Sequence, residues 1–209
     1  MMTGVLFLAA MLVAEPSFAP SPPETAAGEA ESYVEKKIAA VRQAPADPRA
    51  RLDLGIAYYE AEEYEFALSE LIEAVKLNPE NLENLSGRAN FHIGNVLLAL
   101  DRAALAVNAF REALRLGWKD AAVYVALGEA LTSQGKLEEA IAQYRQALQV
   151  SPQAFEAYAG LGLALEGVGR VDEAVAQYEQ YLRSVPPTDD HGIEAVRSRL
   201  AKLKERRRM

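Results

Sequence analysis

Residues 121–154 read AAVYVALGEALTSQGKLEEAIAQYRQALQVSPQA, and residues 155–188 read FEAYAGLGLALEGVGRVDEAVAQYEQYLRSVPPT. The two stretches align without a gap. The matched residues are Tyr124 with Tyr158, Gly128 with Gly162, Gly135 with Gly169, Ala140 with Ala174, Tyr144 with Tyr178 and Pro152 with Pro186. A fixed period of about 34 residues is typical of stacked supersecondary units that share one core. Because such stacks present an extended surface to a partner, the period favours a binding role over a catalytic one.

The period continues towards the N-terminus. Residues 48–81 carry Leu54, Gly55, Ala67, Leu71, Ala74 and Pro79 in the same columns, and residues 87–120 carry Gly94, Leu97, Ala106, Phe110 and Ala113. The repeats therefore start at residues 48, 87, 121 and 155. The first junction holds extra residues near Leu82–Ser86, and we expect them to lengthen a turn or a helix end.

Each repeat contains two amphipathic stretches whose apolar residues recur with the helical period. Small residues at Gly128 and Ala140 predict a close approach of the two helices. Gly135 and Gly169 lie where the chain must turn, and glycine tolerates the positive φ that such turns need. Asp47-Pro48 is a favourable helix start, with a capping Asp followed by Pro in the first turn.

This pattern resembles the tetratricopeptide repeat (TPR) family, whose motif runs from an aromatic residue through Leu-Gly and several Ala and aromatic positions to a Pro. Residues 121–154 match at nearly every column. Departures occur at Arg51 and Asn90 in the first aromatic column, at Trp118 in the Pro column and at Tyr181 in an Ala column. The resemblance implies an all-α solenoid of antiparallel helix pairs with about four repeats, at residues 48–81, 87–120, 121–154 and 155–188.

Two further helices are predicted to flank the array of residues 48–188. Residues 32–47 place Val34, Ile38 and Val41 on one stripe. At the other end, residues 189–209 are predicted as a capping helix with a basic tail; its apolar stripe consists of Ile193, Val196, Leu200 and Leu203. A stack needs its exposed end covered, and a helix with one apolar face does this.

The N-terminal segment is predicted to lie outside the repeat fold. Gly4–Ala14 is an apolar run that is too short to span a bilayer, which needs about 20 residues. It is typical of the core of a secretory signal peptide, although no Lys or Arg precedes it. We therefore expect residues 1–19 to direct export to the periplasm or the exterior; the alternative is an uncleaved, short membrane anchor. Residues 20–31, rich in Pro, Ala and Glu, are predicted as a flexible linker.

Composition argues against several functions. The net charge of −8 disfavours nucleic-acid binding, which needs a basic surface. The chain has no Cys, and its two histidines, His92 and His191, are far apart, so no catalytic, metal or cofactor site is predicted. The one basic region is residues 197–208, which favours peripheral contact with anionic lipid or with an acidic protein surface.

The resemblance also implies a concave groove lined by the first helix of each repeat. In the N-terminal half this groove would be apolar with Arg at its rim, which suits a protein or peptide partner such as an amphipathic helix. The predicted partner-binding residues are Arg49, Leu52, Ile56, Tyr59, Arg88, Phe91, Asn95 and Leu98. The C-terminal half is more acidic, with Glu129, Glu156 and Glu166 in groove columns. The sequence therefore predicts a non-catalytic interaction scaffold or adaptor of the cell envelope; the alternative is a membrane-tethered assembly subunit of a larger complex.

Overall fold

The computed structural model of the protein describes the backbone of residues 24–186 and 190–206, and side chains within residues 33–186 and 192–206. These residues form ten α-helices and no strand. The helices are α1 (Glu24–Gln43), α2 (Pro48–Glu60), α3 (Tyr64–Leu77), α4 (Leu85–Ala99), α5 (Ala103–Arg115), α6 (Ala121–Ser133), α7 (Leu137–Val150), α8 (Phe155–Gly167), α9 (Val171–Ser184) and α10 (Asp190–Arg206).

The helices group into two compact units that meet in the sequence between Lys119 and Asp120. The N-terminal unit contains α1–α5 and the C-terminal unit contains α6–α10. Within each unit, consecutive helices pair across short turns and the pairs stack on each other, as antiparallel hairpins in a solenoid do. The predicted all-α class of repeated helix pairs is confirmed.

The turn inside each helix pair has the same backbone geometry. The residue with positive φ is Glu62 (62°), Asp101 (57°), Gly135 (71°) and Gly169 (79°) in successive repeats. The next residue donates its N–H to a carbonyl five residues back, as in the bond of 3.0 Å from Lys136 to Leu131. This is the Schellman arrangement, which satisfies carbonyls at the helix end. The turns predicted at Gly135 and Gly169 are confirmed.

A missing side chain allows the two helices of each pair to approach closely. A Cβ atom placed on Gly128 would lie 2.7 Å from the Tyr144 ring, and one on Gly162 would lie 2.6 Å from the Tyr178 ring. Ala140 is fully buried at 0% exposure. The small residues that recur in the sequence therefore mark a contact between the helices, as predicted.

Capping side chains define the helix starts and the first junction between repeats. The Asp47 carboxylate accepts the Arg49 N–H at 2.9 Å, which confirms the predicted start of α2. In the junction, a short 3₁₀ turn at Leu82–Asn84 precedes α4. The buried Asn78 holds this turn, because its side chain accepts the Leu82 N–H at 3.1 Å and donates to the Leu82 carbonyl at 3.2 Å. The extra residues thus lengthen the junction, as expected.

The N-terminal flanking helix differs from its predicted limits. Helix α1 begins at Glu24, inside the segment 20–31 that was predicted as a linker, and it ends at Gln43. The segment ETAAGEAE continues the helix because Ala and Glu are strong helix formers. Helix α1 packs on α2 through the buried Val41 and an ion pair of 2.9 Å between Lys37 and Asp53.

The C-terminal helix α10 packs on α9 through one face. Val196, Leu200 and Leu203 are buried, with 3%, 9% and 2% exposure, whereas Ile193 is partly exposed. An ion pair of 2.8 Å between Lys204 and Glu179 adds to this contact. Helix α10 therefore covers the end of the C-terminal unit, as predicted.

The predicted signal or anchor segment, residues 1–19, lies outside the described residues. Among the helices that the structure does describe, none combines the length and the apolar character that a membrane crossing requires.

Candidate functional site

The eight predicted partner-binding residues all lie on α2 and α4, the first helices of two adjacent repeats in the N-terminal unit. Their accessibility differs. Arg49 and Arg88 are exposed, four residues are partly exposed and two are buried. The partly exposed residues are Ile56, Tyr59, Phe91 and Asn95.

The two buried residues correct the predicted set. Leu52 is 1% exposed and belongs to the core cluster that includes Leu71 and Ala89, so it supports the helices instead of facing a partner. The reason is that a first helix has both an exposed face and a face towards the neighbouring repeat, and the spacing of apolar residues does not separate these two faces. Leu98 is also mostly covered, with 8% exposure.

The two arginines among the predicted residues on α2 and α4 differ in whether they form an ion pair. Arg49 forms an ion pair with Glu83, which the junction between the repeats supplies, and both side chains are well exposed. Arg88 forms no ion pair within the described part of the chain. Arg88 is therefore the cation of this surface that remains available to an acidic group.

Aromatic residues on α4 connect the surface to the core. The Phe91 ring lies 5.2 Å from the His92 ring and 6.1 Å from the ring of the buried Phe110. Burial, assisted by the nearby Arg88 charge, lowers the pKa of His92 to about 4. His92 Nδ1 has no hydrogen-bond partner among the described residues. His92 is therefore a neutral, structural residue at neutral pH.

The first helices of the two repeats in the C-terminal unit, α6 and α8, contain acidic and no basic side chains. Glu166 on α8 accepts the Tyr178 hydroxyl at 2.8 Å and an Arg199 guanidinium N–H at 3.2 Å. Glu129 on α6 forms no hydrogen bond or ion pair within the described residues. Burial, and then the charge of Glu156, raises the pKa of Glu129 to about 8.

Glu129 was seen from the sequence as acidic but was not included among the predicted site residues. The signal that could have singled it out is the lack of any Lys, Arg or His in α6 and α8. Among the described residues, no group of His, Asp and Glu is arranged to hold a metal ion.

Three family models match the chain. A tetratricopeptide repeat model matches residues 28–118, a TPR repeat model matches residues 128–169, and a second tetratricopeptide repeat model matches residues 155–185. The first match begins inside α1. No curated protein matches the sequence significantly.

Solved structures share the fold. The crystal structure of MamA is 25% identical, covers 77% of this chain and 91% of its own, and has a TM-score of 0.66. TTC0263, described as a thermophilic TPR protein of Thermus thermophilus, is 21% identical over 95% of this chain and 96% of its own, with a TM-score of 0.64. YrrB, described as a TPR protein with an unusual peptide-binding site, is 19% identical over 91% of this chain and 89% of its own, with a TM-score of 0.63.

Proposed function

The chain belongs to the tetratricopeptide repeat family, and from this premise we propose that it is a non-catalytic adaptor of the cell envelope that holds a peptide or helix against α2 and α4. Proteins of this family generally bind protein or peptide partners. The fold therefore supports an interaction scaffold, and the surface residues decide which chemistry the partner needs.

The observation that carries the proposal is the partly exposed Phe91 beside the exposed Arg88 on α4. Aromatic and Arg side chains supply a large share of the energy of protein interfaces. Ile56 and Tyr59 on the adjacent α2 are also partly exposed and extend the apolar area. A partner with apolar anchors and an acidic group opposite Arg88 would complement this surface.

YrrB is described as a TPR protein with an unusual peptide-binding site, and it is therefore a precedent for peptide recognition by a protein of this fold. The identity of 19% limits that precedent to the fold. The choice of α2 and α4 therefore depends on the exposure and charge of the residues of this chain.

Export, followed by action in the periplasm or outside the cell, is the location that the apolar run Gly4–Ala14 favours. The same run favours the second candidate, a membrane-tethered assembly subunit that retains it as an anchor. Sequencing the mature N-terminus after cell fractionation separates the two. A terminus near residue 15 or 20 in the soluble fraction supports export, whereas an intact run in the membrane fraction supports the anchor.

Affinity capture from the native extract tests the binding surface. We expect the wild-type protein to retain a specific partner, and Phe91→Glu and Arg88→Glu each to weaken its binding; for Phe91 the loss should be about 2 kcal/mol or more. Phe66→Glu is the matched control, because Phe66 is 59% exposed on α3, the second helix of its pair.

Circular dichroism must show wild-type helix content in all three variants. If Phe91→Glu unfolds the protein, Phe91 is a structural residue and the exposed Arg88 alone decides the test. If both folded groove variants retain the partner as the wild type does, recognition does not use α2 and α4.

A further inference from the structure

The basic residues of this acidic protein are concentrated near its C-terminal end. Residues 197–208 contain seven of the 22 basic residues of the chain and one of its 30 acidic residues. Five of these seven cations lie in the described part of helix α10. A charge asymmetry of this kind within one chain indicates contact with an anionic surface. The structure shows which of the cations are available for that contact.

Two of the five cations on α10 are used inside the C-terminal unit. Arg199 pairs with Glu166 on α8 at 3.2 Å, and Lys204 pairs with Glu179 on α9 at 2.8 Å. Together with the buried apolar stripe of α10, these pairs hold the helix in place. Their charges are therefore already compensated within the unit.

The other three cations, Arg197, Lys202 and Arg206, are exposed. None of them forms an ion pair with a residue that the structure describes. Because a helix rises about 1.5 Å per residue, they extend over roughly 14 Å of its axis. The exposed acidic residues of α10 are Glu194 and Glu205, and the sequence adds two arginines directly after the helix. The exposed side of this end of the chain therefore keeps a net positive charge.

This exposed side carries charge without an apolar centre. Its uncharged exposed residues are Ser198 and Ala201, since the large apolar side chains of α10 are buried or partly buried. A specific protein interface takes most of its energy from a few well-packed aromatic, arginine and apolar contacts. A lipid surface, in contrast, attracts exposed cations without any such packing. The arrangement therefore favours an anionic membrane over an acidic protein.

We propose that the exposed cations of α10 bind the C-terminal unit peripherally to a membrane that contains anionic phospholipid. Each Lys or Arg near such a surface strengthens binding about fivefold. The attraction acts within about 10 Å at 0.1 M salt, so acidic residues farther from the membrane are screened. The contact uses none of the residues on α2 and α4, and it therefore adds to the proposed binding of a protein partner.

Co-sedimentation of the full chain with lipid vesicles tests the proposal. The test compares vesicles of phosphatidylcholine alone with vesicles of equal parts phosphatidylcholine and phosphatidylglycerol. The wild type should bind the anionic vesicles more tightly, and added salt should remove this preference because ions screen the charges. The neutral vesicles measure any insertion of the apolar run Gly4–Ala14, which does not require anionic lipid.

A variant without the three exposed cations measures the contribution of α10. Arg197→Gln, Lys202→Gln and Arg206→Gln combined should weaken binding to anionic vesicles about 100-fold, since three contributions of about fivefold are lost. Circular dichroism should show the wild-type helix content, because the replaced side chains are exposed. The charge-preserving variant Arg197→Lys with Arg206→Lys should bind as the wild type does, because the attraction depends on charge and not on the shape of a guanidinium.

The matched control removes the same charge from exposed positions outside α10. It replaces three other cations by Gln, namely Lys36, Arg42 and Lys136. Binding to anionic vesicles should change less than about threefold in this control, because the total charge matters less than the charge within the screening distance of the membrane.

Four outcomes would overturn the proposal. Equal binding to neutral and anionic vesicles is the first, and an equal loss in the α10 variant and the control is the second. The third is a loss in the charge-preserving variant as large as in the Gln variant, which would show that charge alone does not bind. The fourth is loss of a captured protein partner, without any loss of vesicle binding, in the α10 variant; the cations would then serve an acidic protein. Phe91→Glu should bind vesicles normally, so a failure of the proposed surface on α2 and α4 remains distinguishable.

Discussion

The N-terminal and C-terminal units build the same helix-pair turn from different residues. The left-handed position is Glu62 or Asp101 in the N-terminal unit and Gly135 or Gly169 in the C-terminal unit. A side chain in this conformation costs roughly 1–2 kcal/mol, which glycine avoids. The turn therefore forms in all four repeats, but the N-terminal unit bears a strain that its packing must offset.

The units also differ on the exposed face of their second helices. One position of the repeat is occupied by Phe66 and Leu105 in the N-terminal unit, where they are 59% and 53% exposed. The same position is occupied by Glu139 and Glu173 in the C-terminal unit, and Glu173 pairs with Arg145 at 3.3 Å.

What the units share is the contact between a glycine of the first helix and a large side chain of the second. The partner of the glycine is Leu71 or Phe110 in the N-terminal unit and Tyr144 or Tyr178 in the C-terminal unit. The comparison indicates that this contact defines the fold, whereas turns and outer surfaces can vary. Differences between the units on those surfaces are therefore where differences in binding should be sought.

The largest expected difference between the units is an opposite response to pH. The pKa of His92 falls from 6.5 to about 4 on folding, so its contribution to stability is complete above pH 6.5 and is lost as the pH falls to about 4. The pKa of Glu129 rises from 4.5 to about 8, so its contribution is complete below pH 4.5 and is lost as the pH rises to about 8. The full changes amount to about 3 kcal/mol for His92 and about 5 kcal/mol for Glu129.

Native-state hydrogen exchange, corrected for the intrinsic pH dependence of exchange, measures both units in one experiment. Protection in α4 should decrease towards acid pH and protection in α6 should decrease towards alkaline pH. His92→Gln should flatten the first dependence and Glu129→Gln the second. A parallel response of α4 and α6 would show that the two groups do not control the stability of their units separately.

The next largest effect concerns the glycine contact that the units share. A Cβ atom on Gly94 would lie 2.3 Å from the Phe110 ring, and one on Gly128 would lie 2.7 Å from the Tyr144 ring. Gly94→Leu and Gly128→Leu should each lower the free energy of unfolding by about 1–3 kcal/mol, because the helices must separate. Thermal unfolding by circular dichroism measures this, with the exposed substitution Ser69→Leu as a control. An unchanged unfolding midpoint in either glycine variant would show that the helix contact at that glycine does not define the fold.

The sequence predicted the repeat fold well because its strongest signals coincide with these contacts. Gly128 and Ala140 recur because helix packing requires small residues there, and Asp47-Pro48 marks a helix start through local chemistry alone. These are short-range or periodic constraints, and a single chain displays them.

The candidate surfaces were harder to predict because accessibility depends on neighbouring helices. Leu52 and Ile56 share one face of α2, yet Leu52 is buried in the core and Ile56 is partly exposed. Likewise, only the structure shows that Glu129 has no hydrogen bond or ion pair among the described residues. Sequence spacing places residues on a face of a helix, whereas the tertiary contacts decide what that face meets.

Exchanging Glu and Gly at the left-handed turn position should change the stability of the two units in opposite directions. Glu62→Gly should stabilise the N-terminal unit and Gly135→Glu should destabilise the C-terminal unit, each by about 1 kcal/mol, because the left-handed backbone is easier for glycine. No atom lies within 4 Å of a Cβ placed on Gly135, so a loss of stability in Gly135→Glu would come from the backbone conformation and not from a steric clash. Urea unfolding of the two single variants and of the double variant measures these changes in the free energy of unfolding. If the change in the double variant differs strongly from the sum of the two single changes, the two turns do not act independently.

The smallest expected effect comes from giving the N-terminal unit the outer residue of the C-terminal unit. Leu105→Glu should change the free energy of unfolding by less than about 0.5 kcal/mol, because an exposed side chain is replaced by one that the same repeat position accepts elsewhere. Phe66→Glu should cost somewhat more, up to about 1 kcal/mol, since the Phe66 ring lies 5.4 Å from the Tyr58 ring and this contact is lost. Both variants should be more soluble than the wild type, because an apolar side chain leaves the surface. Thermal unfolding and the concentration at which precipitation begins measure the two effects. If Leu105→Glu destabilises the protein as strongly as Gly94→Leu does, the outer face belongs to the structural core of the N-terminal unit and the distinction between a constant helix contact and a variable surface fails.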